Sequence, residues 1–155
     1  MPVRVEEYQG GRAALRPLFE LAEDSRAQLD SYLGSGRVLA ARCGEQVIGH
    51  LQLTDTEAPE TIELKNMAVL ASHRGQGVGQ ALLTAAVERA RREGRTTLLV
   101  ATAAADIDNL RFYQRAGFRM RSIERDAFTE ATGYAPQPPV GGIELRDRVW
   151  LDLRI

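Results

Sequence analysis

The sequence is poor in the residues that most often carry redox, metal or membrane chemistry. Its 155 residues include a single cysteine, a single lysine and two histidines. One thiol excludes an intrachain disulfide framework and fits a reducing compartment. Cys43 stands in "CGEQ" (43–46), a hairpin-turn signal, and reads as a bystander rather than a nucleophile. His50 and His73, with no cysteine pair beside them, leave a zinc site almost without ligands, so no metal is expected. No run approaches the roughly 18 apolar residues of a membrane-crossing helix. The opening "MPVRVEEYQG" carries charges where a secretory leader needs an apolar stretch, which makes a soluble, cytoplasmic protein the expectation. The net charge of −1 gives neither nucleic acid nor an anionic membrane an electrostatic handle. Nineteen of the twenty basic residues are arginine and only Lys65 is lysine; a compositional or temperature bias explains that better than a recognition role.

What is present is ordinary globular material. Hydrophobic residues make up 44% and charged residues 26%, which suits one folded domain over 1–155 and argues against disorder. "PVRVEEY" alternates as a first strand. Residues 12–33 follow with a helical pattern that "EDS" near position 24 breaks and recaps. "RVLAARCGEQVIGHLQLTDT" reads as two strands joined at "CGEQ", and "TIELKNMAVL" as a further strand. Val78, Ala81, Leu82, Ala85 and Ala86 then mark the buried stripe of the strongest helix, which ends in "ARREG" with Gly94 as its cap. "TTLLVAT" is a short apolar strand of the kind covered on both faces. "DIDNLRFYQRAG" is a second helix, capped by Asp106 or Asp108 and closed by Gly117. "FRMRSIE" resumes as a strand, a long loop spans 126–142, and "IELRDRVWLDLRI" closes the chain as a long strand. This order implies an α/β or α+β sandwich, a mixed sheet with helices on its faces.

The distinctive stretch is "SHRGQGVGQALL" (72–83), where Gly75, Gly77 and Gly79 alternate at a helix entrance directly behind Arg74. Glycine admits positive φ and lets a ligand reach backbone N–H groups without meeting a Cβ. The first helical turn has unpaired N–H groups and the positive end of the macrodipole, and so attracts phosphate. Arg74 adds a charge-assisted contact to the same anion. Other glycine loops fit less well. A Walker A loop ends in Gly-Lys-Ser/Thr, whereas "GVGQAL" has neither the lysine nor the hydroxyl. A dinucleotide fingerprint needs Gly or Ala at its sixth place, where the two possible frames put Gln80 and Leu82.

These residues resemble the Gcn5-related N-acetyltransferase (GNAT) family. Its central motif, a strand followed by Arg/Gln-x-x-Gly-x-Gly/Ala opening a helix, is matched by "NMAVLASH" and then Arg74-Gly75-Gln76-Gly77-Val78-Gly79. Its second motif, an asparagine before an aromatic-rich "YxxxGF", is matched by Asn109, Leu110, Tyr113, Gly117 and Phe118. The resemblance covers nearly the whole chain. It implies the acyl-CoA N-acyltransferase fold: a mixed, mostly antiparallel sheet of about seven strands with helices on both faces. Acetyl-CoA would lie in a V-shaped gap between strands at 61–70 and 96–103. Backbone groups of Met67 and Val69, with Ala68 between them, would hold the pantetheine arm. Arg74, Gly75, Gln76, Gly77, Val78 and Gly79 would bind the pyrophosphate, and Asn109 would contact the cofactor arm. A backbone N–H at Met67 would stabilise the oxyanion.

The resemblance also implies that Tyr113 is the general acid that protonates the departing thiolate. Glu63, on the strand that leads into the site, is the candidate base, directly or through water; ordinary solvent exposure is the competing reading. Lys65 and Asn66 lie near the same place and are candidates to line the acceptor pocket, with solvent exposure as the equal alternative. "LASHRG" departs from the commoner family pattern, which has proline at the place of Ala71; the turn is expected to be slightly looser and no catalytic group is affected. In loop 126–142, Phe128 and Tyr134 are candidates to close over an acceptor, and Asp126 or Glu130 to attract a cationic amine. The activity implied is acetyl transfer to a primary amine of a small molecule by direct attack in a ternary complex, since neither motif holds a cysteine to carry the acetyl group. A non-catalytic acyl-CoA sensor and a protein N-terminal or lysine acetyltransferase are the alternatives, and a homodimer is compatible with such folds.

Overall fold

The computed structural model describes residues 2–155. Seven strands form one sheet: β1 (Val3–Glu7), β2 (Arg37–Cys43), β3 (Gln46–Asp55), β4 (Thr61–Val69), β5 (Thr97–Ala103), β6 (Arg119–Glu124) and β7 (Arg148–Arg154). Their order across the sheet is β1-β2-β3-β4-β5-β7-β6. Only the β4/β5 pair is parallel; the other five pairs are antiparallel. This is the acyl-CoA N-acyltransferase fold.

Four helices flank the sheet. The break expected near position 24 separates α1 (Arg16–Glu20) from α2 (Arg26–Tyr32), where the Ser25 hydroxyl accepts the Gln28 N–H at 3.2 Å as an N-cap. On this face Phe19, Leu29 and Val38 pack with Leu15, Leu18 and Tyr32. The opposite face carries α3 (Val78–Arg92) and α4 (Ile107–Arg115). There Leu82, Leu83, Ala86 and Ala90 meet Ile48, Leu51, Leu53, Ile62 and Leu98 in the larger core. Truncating one of these fully buried leucines or isoleucines to alanine costs about 2–5 kcal/mol. Gly44, at φ +61, makes the β2–β3 turn that "CGEQ" announces, and Gly94 and Gly117 end α3 and α4 in the left-handed conformation.

The closing strand is shorter than the sequence suggests. Residues 143–147 do not join β7; the connection from β6 runs through to residue 147, with one 3-10 turn at Glu130–Thr132 and an isolated bridge between Val140 and Ile143. The alternating pattern of "IELRDR" reflects those local contacts and not a ladder. Among the described residues, no helix is long and apolar enough to cross a membrane.

A candidate active site in the parting of two parallel strands

Strands β4 and β5 pair only from Thr61↔Thr97 to Leu64↔Val100 and then separate. The separation begins at a β-bulge. Against β3, Leu53 pairs with Leu64 and Gln52 with Asn66, so Lys65 is an extra residue in β4. The bulge resets the alternation of side chains. Glu63 and Asn66, three residues apart, therefore share one face, opposite Thr54 and Gln52. Past the bulge, the Leu70 N–H donates to the Ile48 carbonyl at 2.8 Å, so Ala68 directs its main-chain groups at β3 while those of Met67 and Val69 turn into the gap. The Val69 carbonyl accepts Arg74 Nε at 3.0 Å, which confirms that direction.

An open groove of about 860 Å³ follows this gap. Its cofactor end is the start of α3. Gly77, the N-cap, sits at φ +82 with no side-chain cap, so the N–H groups of Val78, Gly79 and Gln80 lack an intrahelical partner. A Cβ built on Gly77 meets nothing within 4 Å: the glycine is required by its backbone conformation, and the space above it is open. Gly79 is different, since a Cβ there would make ordinary contact with Phe112 at 3.5 Å. Uncapped amides facing open space, beside a strand edge whose main-chain groups β5 does not pair, fit a nucleotide diphosphate with an amide-bearing arm.

The groove is lined by Glu63, Met67, Ala68 and Val69 from β4, and by Arg74, Gly75, Gly77, Val78 and Gly79 from the turn and α3. Asn109 and Tyr113 of α4 line it as well. Gln76 does not: its side-chain amide donates back to the Ser72 carbonyl at 3.4 Å. Arg74 keeps both terminal nitrogens unbonded among the described residues. Asn109 donates its backbone N–H to the Asp106 cap at 3.0 Å and its side-chain amide to Thr102 at 3.3 Å, across the mouth between α4 and β5.

Tyr113 is 4% exposed, with its ring edge-to-face on Phe112 and Phe118. Burial, with the negative Asp106 adding to it, holds its phenol well above the ordinary value, so it stays protonated. The Glu63 carboxyl is raised by burial, an effect that Lys65 and Arg148 partly offset. Lys65 Nζ lies 4.0 Å from Glu63 and 4.8 Å from the centre of the Tyr32 ring. The described residues hold no group of three or more His, Cys, Asp or Glu side chains placed for a metal ion.

The far end of the groove joins residues that sequence reasoning missed, Glu23, Asp24, Tyr32 and Arg148, to two that it singled out, Phe128 and Tyr134. Glu23 and Asp24, between α1 and α2, line it with Tyr32, while Phe128, Tyr134 and Arg148 close the opposite side. Of the two acidic loop residues expected to attract an amine, Asp126 is bound to Arg146 at 2.8 Å, and neither it nor Glu130 reaches this groove. Tyr134 does reach it, 5% exposed and edge-to-face on Phe128.

Comparisons with known proteins agree with this geometry. The model of the acetyltransferase (GNAT) family matches residues 8–118. The N-acetyltransferase YvbK of Bacillus subtilis is 33% identical over 153 residues, 97% of either chain. Two solved structures share the fold at a TM-score of 0.89. One is an IAA acetyltransferase from Bacillus cereus, 34% identical, covering 99% of this chain and 100% of its own. The other is a GNAT family acetyltransferase from Elizabethkingia anophelis with acetyl-CoA bound, 28% identical, with 99% and 98% covered. With the parted strands, the uncapped glycine entrance and the family match together, the chain belongs to the GNAT family of acetyltransferases.

Proposed function

We propose that the protein moves the acetyl group of acetyl-CoA to a primary amine of a small molecule, by direct attack within a ternary complex. The observation that carries this reading is the groove itself: the diphosphate cradle at α3, the exposed β4 edge, Tyr113 and Glu63 all face one continuous space. Acetyl-CoA supplies the activated thioester. The amides of Val78, Gly79 and Gln80 receive its diphosphate, with the main chain of Gly75, Gln76 and Gly77 beside them and Arg74 swinging from Val69 to add charge. That swing also frees the Val69 carbonyl for the pantetheine arm, which Met67, Val69 and Asn109 align.

The Met67 N–H is placed to donate to the thioester oxygen as negative charge gathers there. Glu63 takes the proton from the attacking amine, directly or through water; its raised carboxyl makes it a better base than an exposed glutamate. Tyr113 gives its proton to the departing thiolate. Desolvation raises a thiol in the same cavity as well as the phenol, so donation remains matched. The test is release of coenzyme A thiol with a panel of small amines. Turnover with at least one amine is expected. Tight acetyl-CoA binding with no turnover on any amine would mark a binding module instead.

A further inference from the structure

A chain of hydrogen bonds at the acceptor end of the groove runs from His50 through Asn66 and Tyr32 to Glu23. His50, fully buried and stacked on Phe19 at 4.2 Å, shares a 2.7 Å hydrogen bond through Nε2 with Asn66 Oδ1. Asn66 Oδ1 can only accept, so Nε2 carries the proton. Asn66 Nδ2 donates to the Tyr32 hydroxyl at 3.0 Å and to the Phe19 carbonyl at 3.3 Å. With that lone pair used, Tyr32 donates onward to Glu23 Oε1 at 2.9 Å. From the other wall, Tyr134 donates to Glu23 Oε2 at 2.8 Å, and the Ser25 N–H adds a third donor at 3.3 Å. Three of these donors, the hydroxyls of Tyr32 and Tyr134 and the Ser25 N–H, converge on the Glu23 carboxylate.

Glu23 is thus fixed by neutral donors alone. Among the described residues, no arginine or lysine comes within 4 Å of it or of Asp24. The two cations nearest in the groove are engaged elsewhere: Lys65 with Glu63 and the Tyr32 ring, Arg148 with Glu124 at 3.2 Å and over the Phe128 ring at 4.8 Å. Asp24 is raised by desolvation and by the negative Glu23 beside it. A carboxylate has about four lone-pair positions, so Glu23 still has capacity for a ligand donor. The walls around it are aromatic, Tyr134 edge-to-face on Phe128 and the ring of Tyr32, with Lys65 and Arg148 already standing over the Tyr32 and Phe128 rings.

We propose that Glu23, aimed by Tyr32 and Tyr134, is a specificity-determining residue that reads a second positive charge on the acceptor, so that the preferred substrates are amines carrying another protonated group. This rests on the acetyl transfer proposed above. One amine enters the reaction as the nucleophile near Glu63, and the distal cation supplies the counter-ion that Glu23 lacks. Monoamines, without that group, leave the carboxylate unsatisfied.

The test compares 1,4-diaminobutane with butylamine, matched in length and different in one charge, by coenzyme A thiol release. In the parent protein kcat/KM is expected to favour the diamine at least tenfold. Glu23→Gln keeps the shape and a hydrogen-bonding partner for both tyrosines but removes the charge, and is expected to reduce that preference at least tenfold, mostly through KM for the diamine. Tyr134→Phe, which keeps the charge and loosens its aim, should reduce the preference less. A variant that lowers both amines equally would make Glu23 a structural clip and overturn the inference. So would a parent protein that acetylates the two amines alike, or that prefers an aromatic carboxylic acid. Failure of every acceptor, with acetyl-CoA still bound, would strike the acetyl-transfer reading and not this one alone. Melting temperatures and acetyl-CoA affinity of each variant separate misfolding from lost recognition.

Discussion

Gly79→Ala places stability and binding in opposition. Gly79 lies in the first turn of α3, outside the positive-φ glycines, and an added Cβ would touch Phe112 at 3.5 Å, an ordinary contact. In the free protein the substitution removes a glycine from a helix and adds a small apolar contact. An interior position would gain roughly 0.5–1 kcal/mol, and a first-turn position is expected to gain about half of that. At about 2–4 °C per kcal/mol for a chain of this size, the melting temperature rises by about 0.5–2 °C. On the proposed binding mode, the same methyl group would stand beside the Gly79 amide that receives the diphosphate. A displacement that weakens one charge-assisted hydrogen bond costs about 1.5–3 kcal/mol, roughly a tenfold or greater rise in the acetyl-CoA dissociation constant. Thermal melts and isothermal titration calorimetry on the same sample read both effects. A melting temperature that rises while affinity is unchanged would show that the diphosphate does not come close to Gly79. A melting temperature that falls would show that the site beside Phe112 cannot take the methyl group.

Three further outcomes follow from the side chains in the groove. Tyr113→Phe is expected to lower kcat at least a hundredfold with acetyl-CoA affinity nearly retained, because only the proton donor is lost; unchanged turnover would remove that hydroxyl from the mechanism. Glu63→Gln should abolish the acidic limb of the kcat/KM profile, which in the parent lies above the ordinary carboxylate range because burial raises Glu63; an identical limb in both proteins would assign the base elsewhere. Burial lowers His50 from 6.5 to about 4, so below pH 6.5 the unfolded chain takes up a proton that the folded chain refuses. Stability is therefore lost between pH 6.5 and about 4, by about 3 kcal/mol at 1.36 kcal/mol per pH unit. Urea midpoints of the parent and of His50→Gln across that range should converge as pH falls, and parallel curves would mean that His50 is not held neutral.

The cofactor half of the groove was legible in the sequence because its determinants are local. A glycine-rich helix entrance, an asparagine behind a helix cap and a tyrosine four residues before Gly117 each announce themselves within a short window. The break at Ser25 and the turn at Gly44 are equally local. The acceptor half was legible only in part: Lys65, Asn66, Phe128 and Tyr134 stood out in the sequence, whereas Glu23 and Tyr32 did not. Glu23, Asn66 and Tyr134 are separated by 43 and 68 residues of chain, and only the closed sheet and the long β6–β7 connection bring them to one hydrogen-bonded chain. Asp126 and Glu130 drew attention because acidic residues in a long loop look available, yet Arg146 occupies Asp126. The strand expected at 143–147 failed for a related reason: the segment makes isolated bonds, its Arg146 carbonyl accepting from the Phe128 N–H and its Asp147 carbonyl from the Ala104 N–H, and not a continuous ladder.

The extra residue in β4 acts as an offset in counting. Upstream of Lys65 the strand is committed to β5; downstream, one edge of its backbone is left for a guest, while Glu63 and Asn66 are brought onto a common side. What matters at this position is the number of residues more than the identity of any one. Exchanging the lysine alters a side chain at the mouth, whereas deleting it would rotate Glu63 out of step with everything that follows and disturb both the unpaired β4 edge and the pocket beside Glu63 at once.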